Sequence, residues 1–208
     1  MIFQEFKISD FLEELSSKSP APGGGTASAL MGALGVSLLC MVCNLTIGKE
    51  KFKEKEPMVK EILEKAKVLL EDFKDLMDED TEAFKKVSEA LKMPKSTDED
   101  KKRRNEALQQ ALKEAAETPL KIMEKVKEAS KLLKNALSNT NPSTVTDLGV
   151  SALALKSSLL GAWLNVKINL KSIDDEKFNI DLQKKMDEVL TVEKDLNTIF
   201  EEIKSLLN

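Results

Sequence analysis

The sequence predicts an all-α fold, a single-domain bundle of long helices packed around a buried central helix of small residues. Three observations carry this. Gly 8, Pro 6, Tyr 0 and aromatics at 4% leave little material for strands and hairpins. Apolar residues recur at helical spacing over long stretches, as in Val59, Ile62, Leu63, Ala66, Leu69, Leu70, Phe73, Leu76 and Met77. Finally, no charged residue occurs from Ser19 to Gly48, in a chain that is 33% charged. A helix apolar on every side belongs at the centre of a bundle or in an oligomer interface. At 208 residues and 41% hydrophobic, the chain has enough apolar material for one core, so residues 1–208 are read as one domain.

The elements follow from local signals. A short first helix starts at Ser9 or Asp10, good N-terminal caps, and ends near Ser17. The proline-glycine stretch 19–25 breaks it. The uncharged helix covers 26–48, with Gly48 as its stop. Pro57, tolerated in a first turn, opens a long helix to Leu91. Met93-Pro94 ends that helix, and Ser96 or Thr97 caps the next, which runs toward Leu137. Pro119 lies inside it and predicts a kink or break near Thr118. Residues 139–142 form a turn, and Thr146 caps a helix through Ile173 with Asp147 in its first turn. A polar break at 173–179 precedes one last helix over 181–207. Small residues fall four apart at Gly25, Ala29, Ala33 and Ser37, and again at Ala154, Ser158 and Ala162. Both helices are therefore expected at the centre, packed closely on their neighbours.

Composition excludes several chemistries. His 0 rules out a Ser-His-Asp or Cys-His dyad and any histidine metal site. The net charge of −4 offers no electrostatic footprint for nucleic acid. Cys40 and Cys43 are spaced C-x-x-C, but two thiolates cannot complete tetrahedral zinc, and their apolar helical setting reads as two buried core thiols. No metal site is expected. The acidic start, with Glu5, Asp10, Glu13 and Glu14, does not look like a signal peptide, and a cytoplasmic location is expected. The uncharged run is long enough to span a bilayer. Its prolines, glycines, Thr26, Ser28, Ser37, Asn44 and Thr46 favour a core helix instead.

Four places could hold chemistry. Pro22-Gly23-Gly24-Gly25-Thr26-Ala27-Ser28 feeds a helix start, where bare backbone amides favour an anionic group; a flexible turn into a buried helix is the other reading. It is not a P-loop, lacking the Lys-Ser/Thr pair. Asp147 stands at the start of an otherwise uncharged helix, either as a functional carboxylate or simply as a complement to the helix dipole. Asn165 and Asn169 share a face and could tie helices together or bind a heterocycle. Asp80, four residues before Phe84, lies within a run of acids, and spacing alone cannot single it out.

Taken together these segments resemble the formiminotransferase-cyclodeaminase C-terminal domain family. The resemblance rests on Pro20-Ala21-Pro22-Gly23-Gly24-Gly25-Thr26-Ala27-Ser28-Ala29-Leu30, then Met41-Val42 to Thr46-Ile47-Gly48-Lys49, Asp80-Thr81-Glu82-Ala83-Phe84, Pro119, Thr146-Asp147-Leu148-Gly149-Val150 and Gly161-Ala162 to Asn165-Val166 and Asn169-Leu170. It implies an all-α enzyme, a homodimer or higher oligomer, that binds a reduced folate without metal or redox cofactor. The implied reaction is cyclisation of 5-formiminotetrahydrofolate to 5,10-methenyltetrahydrofolate with loss of ammonia. A cyclohydrolase giving 10-formyltetrahydrofolate is the alternative, and a folate-binding oligomer without turnover a third. On this reading Asp147 is the first choice for stabilising the methenyl cation and moving protons, and Asp80 the second, as an orienting or proton-transfer group. Pro22, Gly23, Gly24, Gly25, Thr26 and Ser28 would cradle substrate. Asn165 and Asn169 would hold the pterin or the folate amide, and Lys49 and Lys156 would meet the glutamate tail.

Overall fold

A computed structural model describes residues 2–207, and every described element is helical. The helices are α1 (Ile8–Leu15), α2 (Gly24–Asn44), α3 (Glu56–Lys92), α4 (Asp98–Asn139), α5 (Val145–Leu170), α6 (Glu176–Leu190) and α7 (Val192–Leu206). The expected all-α bundle is present. Helix α2 packs on α3 and α5, while α4 packs on α3 and α5 from the other side. Its core includes Val36, Leu39, Phe73, Met123, Leu133, Leu155 and Leu159, all nearly or fully inaccessible.

The two small-residue helices are central, and their glycines explain how. A methyl group on Gly35 would sit 2.9 Å from Leu155 Cγ and 3.1 Å from the Ser151 carbonyl. The Ser151 hydroxyl donates to the Gly35 carbonyl at 2.7 Å, so the backbones of α2 and α5 touch. Gly161 leaves room for the Ser28 hydroxyl, and Gly32 for the Phe73 ring. Helix α2 passes the length and apolarity test for a membrane span, yet 61% of its most apolar stretch is buried inside the bundle. Cys40 and Cys43 are unpaired and buried as expected. Burial pushes the Cys43 thiol up to about 12.

Several boundaries differ from the sequence expectation. Helix α2 begins two residues early and ends at Asn44; Gly48 lies in the turn beyond, at φ +79°. Thr97 and Asp100 form a reciprocal capping box at the start of α4. Thr144, not Thr146, occupies the cap position of α5, and its hydroxyl donates to the Asn141 carbonyl. The last helix is two: α6 starts at Glu176, where the Asp175 carboxylate accepts from the Phe178 amide, and the chain turns at Thr191. The Thr191 hydroxyl donates back to the Glu188 carbonyl at that turn.

Pro119 breaks nothing. Helix α4 runs through it from Asp98 to Asn139. A proline leaves the carbonyl four residues earlier without its helical donor. That carbonyl belongs to Ala115, and it accepts instead from Asn169 Nδ2 on α5 at 2.8 Å. The deficit created in one helix is filled by its neighbour.

Candidate functional site

A cleft of about 330 Å³ opens where the start of α2, the middle of α3 and α4, and the end of α5 converge. Gly23, Gly24 and Gly25 form one wall. Asp80, Thr81, Phe84 and Val87 of α3 form the second, and Ala115, Asn165, Ile168 and Asn169 the third. Three of the four places singled out in the sequence thus meet at one point: the glycine run, Asp80 with Phe84, and the asparagine pair.

The glycine run is shaped by Asp80. Helix α2 has Gly23 as its cap residue, with no side chain to satisfy the first amides. The Asp80 carboxylate, reaching in from α3, does so. Its Oδ2 accepts the Thr26 hydroxyl at 2.9 Å, and the carboxylate accepts the Thr26 backbone N–H as well. A Cβ on Gly25 would overlap this carboxylate outright. Gly25 is therefore the residue that lets an acid from another helix cap α2. Thr26 and Thr81 are buried beside it, and Thr81 Oγ1 also donates to the Met77 carbonyl at 3.3 Å.

Burial raises the Asp80 carboxyl above the ordinary aspartate value, and the two hydrogen bonds from Thr26 oppose this only in part. The group is thus an acid that takes and releases a proton more readily near neutrality than an exposed aspartate. Asn165 Nδ2 donates to the Gly161 carbonyl at 2.8 Å and lies within van der Waals reach of Gly24. With both asparagine nitrogens engaged on backbone, their side-chain carbonyls are free to accept from a ligand. Phe84 is 43% exposed and offers a flat apolar ring at the cleft.

Other expected residues lie elsewhere. Pro22, which follows a cis peptide bond, is buried behind the glycine wall. Thr26 acts through Asp80, and the buried Ser28 donates to the Gly24 carbonyl while packing on Gly161. Lys49 follows the opposite end of α2, in a hollow with Gly48 and Glu56. Lys156 points at α7, bonding Asn197 Oδ1 at 2.8 Å and Glu193 at 3.4 Å. Asp147 opens α5, eighteen residues from Asn165, which places it about 27 Å along the axis from the cleft. Basic residues do gather near the cleft: Lys167, Lys171 and Lys184 line a hollow of about 650 Å³ beside the same end of α5. Sequence reasoning missed Thr81, Val87, Ala115 and Ile168. The Ala115 signal was available, since Pro119 marks the carbonyl four residues before it as exposed. Among the described residues no cluster of three His, Cys, Asp or Glu side chains could hold a metal ion.

A cleft with one readily protonated carboxyl, backbone amides, two free amide carbonyls and an aromatic face suits a flat heterocycle that donates hydrogen bonds and carries positive charge. The sequence profile described as formiminotransferase-cyclodeaminase matches residues 7–188. A methenyltetrahydrofolate cyclohydrolase of Methylorubrum extorquens is 39% identical over 202 residues, covering 97% of each chain. The formimidoyltransferase-cyclodeaminase of Gallus gallus is 37% identical over 168 residues, 81% of this chain but 31% of that protein. The crystal structure of a formiminotetrahydrofolate cyclodeaminase from Thermotoga maritima superposes with a TM-score of 0.84 at 28% identity, covering 98% of this chain and 96% of that one.

Proposed function

Because the chain belongs to the formiminotransferase-cyclodeaminase family, we propose that its cleft binds a reduced folate and closes the ring between N5 and N10. The activity is that of a formiminotetrahydrofolate cyclodeaminase. The observation that carries this reading is the Asp80 carboxyl, half-buried, raised, and held at the glycine wall by Thr26.

The chemistry follows from that group. The N10 lone pair attacks the carbon of the protonated formimino group on N5. Asp80 takes the N10 proton and returns it to the amino nitrogen, which departs as ammonia. The positive charge stays on the N5–C–N10 bridge, so charge and protons balance with no metal or redox cofactor. Preorganised oxygen acceptors around that bridge stabilise it. Asn165 and Asn169 accept from the pterin, and Phe84 lies against its ring. The glutamate tail leaves toward Lys167, Lys171 and Lys184 rather than toward Lys49 or Lys156.

A second reading is cyclohydrolysis of the same methenyl cation, favoured by the Methylorubrum relative, which matches over nearly the full length of both chains. The chain acts as a homodimer or higher homo-oligomer in a reducing cytoplasm, consistent with its two unpaired thiols. The test follows methenyl absorbance and ammonia together, with formiminotetrahydrofolate as substrate. Parallel rises support the cyclodeaminase. Silence there, with rapid loss of absorbance from methenyltetrahydrofolate, assigns the cyclohydrolase. Silence in both, in folded protein, leaves a folate-binding oligomer.

A further inference from the structure

Proline is the costliest residue inside a helix, and Pro119 stands buried near the middle of α4. No turn follows it, since α4 continues for twenty more residues to Asn139. Its effect falls on one atom. The Ala115 carbonyl loses its helical donor, and the proline ring crowds that carbonyl out of line with the helix axis. Ala115 and Asn169 both line the cleft, whereas Pro119 does not. The freed carbonyl accepts from Asn169 Nδ2 at 2.8 Å, joining α4 to α5 across 54 positions of sequence.

The two ends of a carboxamide are alike in shape and opposite in polarity. Whatever binds one end therefore decides what the other end offers. The two cleft asparagines are settled in different ways. Asn165 donates to the Gly161 carbonyl, one turn back in its own helix, at 2.8 Å. Asn169 instead needs an acceptor on another helix, and an interior helical carbonyl is ordinarily engaged by the N–H four residues on. For Ala115 that donor would be residue 119, and proline has none. With its nitrogen bound to α4, Asn169 has a side-chain oxygen that meets no donor among the described residues.

We propose that Pro119 is a positioning residue of the cleft. By withholding an N–H from Ala115 it holds the Asn169 amide with its nitrogen on α4, so that the cleft offers an oxygen to a ligand's N–H. The bond to Ala115 stands without any ligand. That the ligand is a folate, whose pterin edge presents N–H donors, rests on the reading given above. An N–H restored at residue 119 competes with Asn169 for the carbonyl. The amide then turns over in a share of molecules and meets the ligand N–H to N–H, which weakens binding without touching the reacting carboxyl.

A cycle of variants tests this: wild type, Pro119→Ala, Asn169→Ala and the double variant. The probe is 5-formyltetrahydrofolate, a stable reduced folate, titrated by calorimetry. Pro119→Ala is expected to weaken binding about fivefold, the worth of one neutral hydrogen bond. KM should rise by the same factor, with kcat within about twofold. Its melting temperature should not fall, since alanine is the better helix former, and so unfolding does not account for the loss. In the Asn169→Ala background the same substitution should change affinity by less than about twofold. An equal loss in both backgrounds means that proline acts through the shape of α4, and overturns the proposal. Undiminished binding by Pro119→Ala overturns it too.

A second readout needs no folate. In isotope-labelled protein the side-chain amide signals of Asn169 are identified by their absence from Asn169→Ala. Their protons are expected to exchange with water faster in Pro119→Ala than in wild type. Equal exchange overturns the proposal. Wild type that binds no folate, with the amide released as expected in Pro119→Ala, instead removes the folate reading and leaves Pro119 in its role.

Discussion

Asn169 donates to the carbonyl of Ala115 at 2.8 Å, and that carbonyl is free because Pro119 has no N–H to offer it. One hydrogen bond thus keeps α4 continuous, ties it to α5, and fixes the side chain of a cleft residue with its oxygen free. Asn169→Leu is expected to destabilise by about 1–3 kcal/mol, the cost of a part-buried acceptor left alone. Pro119→Ala restores an N–H to the same carbonyl, so in the Asn169→Leu background it should recover most of that loss. Urea unfolding of the two single variants and the double variant gives the cycle. A Pro119→Ala effect independent of residue 169 would show that the two do not interact.

The three glycines are not equivalent. A Cβ on Gly25 overlaps the Asp80 carboxylate, one on Gly24 meets Asn165 Nδ2 at 3.3 Å, and one on Gly23 meets nothing within 4 Å. Gly25→Ala must push Asp80 off Thr26, and a catalytic group displaced by about 1 Å costs on the order of 100-fold in kcat. Gly23→Ala should change kcat less than about threefold, because neither its space nor its φ of −125° resists a side chain. Equal losses in both variants would mean that the run serves as a flexible turn.

Much of this was legible beforehand, because the glycine run, Asp80 with Phe84 and the asparagine pair are local patterns, as was the Thr97 cap. What stayed hidden was three-dimensional. Sequence spacing could not tell Asp80 from its acidic neighbours, since the distinction is made by Gly25 and Thr26, more than fifty positions away. It also ranked Asp147 first for its uncharged surroundings, which the fold places at the other end of α5 from the cleft. Pro119 read as a kink or break because its compensation comes from Asn169, fifty positions later.

The lysines beside the cleft separate tail binding from chemistry. Among the described residues Lys171 carries no carboxylate partner, and it lines the hollow at the end of α5. Lys171→Glu is expected to raise KM for the glutamylated substrate about tenfold, equivalent to ~1.4 kcal/mol, with kcat within about twofold. Steady-state kinetics at low salt, where such contacts are strongest, measures it. A fall in kcat at unchanged KM would move the tail elsewhere.

Cys43 is fully buried and its thiol is pushed up to about 12, so almost none is thiolate at neutral pH. Folded protein should leave it unlabelled by a disulfide-exchange reagent at pH 8, and full labelling should appear only in denaturant. Prompt reaction of the native protein would mean that α2 opens, which its packing against α3 and α5 argues against.

Asp80 ties activity and stability to pH with opposite signs. Its carboxyl is raised in the folded chain by burial, so the native state holds the proton to higher pH than the unfolded one. The sign follows from linkage: between the unfolded and the folded value the native state binds more protons, so stability falls as pH rises through that window. Asp80→Asn accepts from Thr26 without the buried charge. Its stability relative to wild type should therefore improve as pH rises through the window, while turnover is lost. The wild-type acid limb of kcat/KM, reporting ionisation of the free enzyme, should lie above the range of an exposed aspartate and vanish with the residual activity of the variant. Thermal melts from acid to neutral pH, set beside the pH–rate profile, test both halves. A variant that loses stability relative to wild type with rising pH would mean that ionised Asp80 holds α2 in place more strongly than its burial opposes it.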